Sequence, residues 1–116
     1  MLFAVDRRAV NGRPVLRVIG ELDVATVTVL AAYVDDELSS GTRSLVIDLT
    51  DTPFMDSSGA RELVRAARRA ADAGTALQVV CPRENKPVRL VVDLLELHLV
   101  VPVVESATLT DGEVGS

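Results

Sequence analysis

Val46-Ile47-Asp48-Leu49-Thr50-Asp51-Thr52-Pro53-Phe54-Met55-Asp56-Ser57-Ser58-Gly59 is the stretch whose reading decides the fold. It opens within Leu45 to Leu49, a short apolar run, partly β-branched and bounded by turn residues, which predicts a buried strand. Thr50 to Ser58 follows as a loop interrupted by Pro53, and the chain then enters a helix. That helix places Ala60, Leu63, Val64, Ala67, Ala70 and Ala71 on one face and Arg61, Arg65, Arg68 and Asp72 on the other, so one side should meet a core. Gly74 ends it.

Upstream, Ala4 to Ala9 and Val15 to Ile19 flank Asn11-Gly12, a strong hairpin signal, so two antiparallel strands should open the chain with Pro14 near the start of the second. After Gly20-Glu21-Leu22-Asp23, the residues Val27, Leu30, Ala31, Val34 and Leu38 recur at helical spacing, with Asp23 placed as N-cap and Ser39-Ser40-Gly41 as the end. Downstream, Leu77 to Cys81 reads as a second buried strand, and Pro82 to Pro87 as a polar turn. A helix from about Pro87 to Leu97 and a last strand from Leu99 to Val104 complete the pattern. This order predicts one α/β domain over residues 1–105 with a short polar tail at 106–116. Its four- or five-stranded mixed sheet combines an N-terminal β-hairpin with right-handed crossover helices. The loops leaving the carboxyl ends of parallel strands gather on one edge, where open α/β sheets keep their working residues. Glu21 and Asp23, Asp51 to Ser58, and Arg83 to Lys86 all fall there.

Composition narrows the function. The 116 residues are 48% hydrophobic and 25% charged, enough for a core, while 3% aromatics leave little surface for stacking on bases. A net charge of -5 repels phosphate backbones and anionic lipid, so neither nucleic acid nor membrane is an expected partner. The apolar runs are far shorter than a membrane span and no secretory leader is recognisable, which points to the cytoplasm. The single cysteine, Cys81, can form neither an internal disulfide nor a cysteine metal cluster, and no cofactor is expected.

Asp56-Ser57-Ser58-Gly59 at a helix start, preceded at a fitting distance by Gly20-Glu21-Leu22-Asp23, resembles the STAS domain of bacterial anti-sigma factor antagonists, also called anti-anti-sigma factors. The resemblance spans nearly the whole chain in element order. It implies a non-catalytic phosphoprotein of transcription regulation, with Ser57 as phosphoacceptor. Unmodified, such a protein binds an anti-sigma factor that is also a serine kinase and so frees a sigma factor; phosphorylation breaks the complex and a serine phosphatase restores it. Glu21, Asp23, Asp56, Ser58, Gly59 and Arg61 are the expected partner-binding or supporting residues. Ala60-Arg61-Glu62 departs from the small and apolar residues usual after the motif.

Other readings compete for the same residues. Asp56, Ser57 and Ser58 suit plain helix capping, worth about 1 kcal/mol. The Arg61, Arg65, Arg68 stripe suits a solvated face or a docking surface. Val88, Val91, Val92 and Leu95 form one apolar face of the third helix and Leu90, Leu94 and Leu97 a second, so the helix is either unusually buried, which is the expectation, or offers a protein contact. A hydrolase triad of Ser57, His98 and an Asp lacks the first Gly of the G-x-S-x-G elbow, and places His98 at the wrong sheet edge. A phospho-aspartate receiver built on Asp48 and Lys86 lacks one strand-helix unit. The remaining alternative is a STAS subunit that is never phosphorylated and serves as a fixed part of a signalling or transport assembly.

Overall fold

The computed structural model describes residues 2–106. Strands β1 (Ala4–Val10) and β2 (Arg13–Ile19) form the antiparallel hairpin. Asn11 and Gly12 take consecutive positive φ values of 53° and 78°, as a tight turn matched to strand twist requires. Helix α1 (Val27–Ser39), β3 (Ser44–Asp48), α2 (Ser57–Ala73), β4 (Ala76–Val80), α3 (Lys86–Leu94) and the two-residue β5 (Val103–Val104) follow. The sheet has five strands in the order β1-β2-β3-β4-β5, parallel from β2 onward.

Because every crossover steps to the next strand in the same direction, right-handed connections put all three helices on one face of the sheet. The core agrees. Leu16 and Val18, Leu45 and Ile47, and Leu77 and Val79 alternate along their strands and join one cluster with Leu30 and Val34 of α1, Leu63 of α2 and Val88 and Val92 of α3. The opposite face is dressed with charge: Asp6 sits opposite Arg17 and Arg17 opposite Asp48 in the strand register, and Arg17 pairs with Asp51. On the helical side Arg7 reaches from β1 to the buried carboxylate of Glu37 in α1.

Four expectations change. Asp23 is not the cap of α1, which begins at Val27 behind Thr26; its carboxylate instead accepts hydrogen bonds from Ala25 N (2.9 Å) and Thr26 N (3.2 Å). A turn thus precedes the helix, and the β-branched Val24 and Thr26 stay outside the regular spiral. Helix α3 stops at Leu94 rather than Leu97, since Glu96 adopts a left-handed φ of 51° and the chain tightens into a 3-10 turn at Leu97–Leu99. That turn and Pro102, which lacks a donor, shorten the last strand to Val103–Val104. Finally, Ala71 is exposed and Ala66 takes its place in the core, a rotation of the buried stripe of α2. Of the expected tail at 106–116, residues 107–116 lie outside the described residues.

Cys81 is fully buried where β4 leaves the sheet. Burial pushes its thiol pKa up, only partly opposed by Arg89. The folded protein therefore keeps a proton that the unfolded chain releases. This contribution to stability is present below the unfolded thiol's pKa and is lost as pH climbs through the folded value. A disulfide reagent at pH 8 should label Cys81 at the rate of unfolding, and labelling as fast as a free thiol would contradict the burial.

Candidate functional site

The carboxyl edge is built from the loops after β2, β3 and β4. The first two are fastened by main-chain hydrogen bonds: Leu22 N–H donates to Phe54 O (2.9 Å), Asp56 N–H to Leu22 O (3.2 Å) and Gly20 N–H to Asp51 O (3.3 Å). Leu22 and Met55 form an isolated parallel bridge between them, and both side chains are fully buried. Thr52 is also buried and donates its hydroxyl to Val18 O at 2.9 Å. The third loop joins through Asn85, whose side-chain amide donates to Leu49 O (2.9 Å) and Thr52 O (2.8 Å). The site is thus held from three sides.

Within this clasp each residue of Asp56-Ser57-Ser58-Gly59 has a place. Asp56 is extended and caps α2, its Oδ1 accepting from Ser58 N (2.8 Å) and Gly59 N (3.2 Å). Gly59 is buried against the upstream loop: a Cβ there would lie 2.9 Å from Leu22 O and 2.5 Å from Met55 Cγ. Ser58 lines a groove between the start of α1 and the face of α2. Ser57 is exposed, and among the described residues its hydroxyl has no hydrogen-bond partner. Replacing Asp56 by Ala should cost about 1 kcal/mol in denaturant melts, with Asn retaining most of the capping. Equal stability of the Ala variant would show that the cap carries no weight.

The remaining expected residues divide. Glu21 is exposed and lends its backbone carbonyl to the Thr26 hydroxyl at 2.7 Å, while Asp23 shapes the turn behind it. Arg61 is exposed in the groove one helical turn beyond Ser57. Its neighbours are committed elsewhere: Arg65 donates to both carboxylate oxygens of Glu62 and to Asp35, and Arg69 also pairs with Asp35. Hydrogen bonding to Glu62 raises the Arg65 pKa above its already high ordinary value, and through Asp35 the same guanidinium links α2 to α1. Arg83 pairs with Glu105 away from Ser57, and His98 lies in the 3-10 turn on the path into β5. Two exposed apolar residues escaped the sequence reading, Val24 at 73% and Phe54 at 44% exposure, one in each clasped loop. Their only signal was position, Val24 just after Asp23 and Phe54 just after Pro53.

The STAS domain model matches residues 4–107. The chain belongs to the STAS domain family. Among solved structures, an anti-sigma factor antagonist from Mycobacterium paratuberculosis superposes with a TM-score of 0.83 at 23% identity, covering 91% of this STAS chain and 88% of that one. The anti-sigma factor antagonist SpoIIAA in its unphosphorylated form gives a TM-score of 0.66 at 20% identity over 92% of this chain and 90% of its own. The phosphorylated form of SpoIIAA, the Bacillus cell fate determinant, gives 0.64 at 20% identity over 89% and 91%. These likenesses show the fold. No curated protein matches the chain in sequence. No helix among the described residues of this STAS domain is long and apolar enough to cross a membrane.

Proposed function

We propose that this STAS domain is an anti-sigma factor antagonist of the bacterial cytoplasm, switched by phosphorylation of Ser57. The observation that carries the reading is the division of labour in the motif. Asp56 and Gly59 are occupied by capping and close packing, and Ser57 stands exposed with nothing to hold. Around it Glu21, Val24, Phe54 and Arg61 offer a mixed charged and apolar surface to a protein partner. The expected partner is an anti-sigma factor with serine-kinase activity, and the STAS chain supplies no catalytic group.

The kinase, holding its own Mg-ATP, transfers the γ-phosphoryl group to Ser57 Oγ. The new O–P bond forms as the bond to ADP breaks, and the hydroxyl proton leaves to a base of the kinase. A phosphatase reverses the change with water, returning Ser57 and inorganic phosphate. The added charge, roughly -1.5 to -2, sits beside Asp56. Asp56 already accepts from the amides of Ser58 and Gly59, so the phosphate is turned outward into the docking surface rather than absorbed by the helix start.

The test is affinity capture from extract of the source cell, with the bait either unmodified or carrying phosphoserine at 57. Recovery of an anti-sigma factor with a kinase domain on the unmodified bait alone is the expected result. Its absence from the unmodified bait, or equal recovery on both, overturns the reading.

A further inference from the structure

Helix α3 carries an apolar surface that the fold does not cover. Val88 and Val92 face the core, but Leu90 and Leu94, one turn apart on the far side, are 58% and 71% exposed. Leu95, Leu99 and Val100, in the connection and the 3-10 turn packed beside the end of α3, are exposed as well. Of the second leucine face, Leu97 is buried as expected, whereas the burial expected for Leu90 and Leu94 is absent from the isolated chain.

We infer that this surface joins two copies of the chain, with their α3 helices antiparallel across a twofold axis. Charge placement favours a second copy over an unrelated partner. Lys86 at the start of α3 and Asp93 near its end lie along the same flank of the Leu90–Leu94 stripe. A twofold axis perpendicular to the helices, level with Arg89 and Leu90, brings Lys86 of each copy opposite Asp93 of the other, twice, while Leu90 meets its own counterpart at the axis and Leu94 lies over the start of the other helix. Asp93 is free to do so, being 65% exposed and only 4.0 Å from Arg89 at its nearest. Burying all five exposed side chains on both copies would remove at most on the order of 1,000 Å², about the minimum for a specific interface, so the dimer is a weak one. Leu95 to Val100 lie between α3 and the amino end of β5, at the end of the sheet opposite Ser57.

Analytical ultracentrifugation of the full chain, from low micromolar to about 200 µM, tests this against the affinity scale of such interfaces. Concentration-dependent dimerisation is expected. Leu90→Gln with Leu94→Gln should abolish it while leaving the circular dichroism melt unchanged, because both side chains are exposed. Lys86→Glu alone should weaken the dimer at least tenfold, and Lys86→Glu combined with Asp93→Lys should restore it by remaking the pair in reverse. A monomer at every concentration, a dimer indifferent to the leucine substitutions, or no rescue by the reversed pair overturns the proposal.

Discussion

Gly59→Ala should destabilise the protein by about 1–3 kcal/mol and lower Tm by roughly 5–15 °C, although alanine is the better helix former. Helix propensity alone predicts the opposite sign, a gain of about 1 kcal/mol. The close approach of the two loops decides. The added methyl would meet Met55 Cγ at 2.5 Å, Leu22 O at 2.9 Å and Leu22 Cγ at 3.1 Å, and the carbonyl belongs to the main-chain clasp that orients Ser57. Gly74 supplies the comparison: a Cβ there meets nothing within 4 Å, and its φ of 74° alone makes Gly74→Ala unfavourable by about 1–2 kcal/mol. A rise in Tm for Gly59→Ala, measured calorimetrically, would show that the loops are not packed as described.

A phosphate on Ser57 should weaken binding to the proposed anti-sigma factor partner by more than tenfold, equivalent to over ~1.4 kcal/mol, and leave Tm within a few degrees of the parent. Ser57→Asp should weaken it less, because one carboxylate carries about half the charge and fewer acceptor oxygens. Ser57→Ala should bind like the parent and resist modification. The stability side follows from position: Ser57 is exposed at the first turn of α2, where a negative group is tolerated or mildly favourable by about 0.3–1 kcal/mol. Titration calorimetry on the three proteins, beside thermal melts, separates the outcomes. Full affinity in the phosphorylated protein would remove the switch, and a steep loss of Tm in Ser57→Ala would make the hydroxyl a structural support instead. Modification of Ser58 in place of Ser57 by the same kinase would move the acceptor by one residue.

The parts of the fold that were legible in the sequence are those governed by local rules. Asn11-Gly12 specifies its turn by needing two positive φ angles, and the apolar stripe of α2 and the runs within β3 and β4 announce their periods directly. The ends of elements were less legible because they are settled by tertiary contacts. Asp23 has the chemistry of a cap, but Thr26 binds back to Glu21 O and the residues between them close a separate turn ahead of the helix. The extra leucines of α3 read as core because a hydrophobic pattern records what avoids water, not which molecule covers it. At the site, Ser57 and Asp56 could be singled out from the motif. The clasp could not, because hydrogen bonds such as Leu22 N–H to Phe54 O join atoms common to every residue and leave no mark on side-chain identity.

That indifference has an evolutionary consequence. The geometry that presents Ser57 depends on backbone amides, one glycine, a capping aspartate and buried Leu22, Thr52 and Met55. Glu21, Val24, Phe54 and Arg61 project from the same frame without supporting it, so substitutions there should fall within the small stability range usual for surface positions, about 0.5 kcal/mol either way. After gene duplication, such positions can diverge while Ser57 keeps its pose. Under the proposed function, parallel signalling lines within one cell can then be insulated from one another by rewriting four side chains on an unchanged chassis.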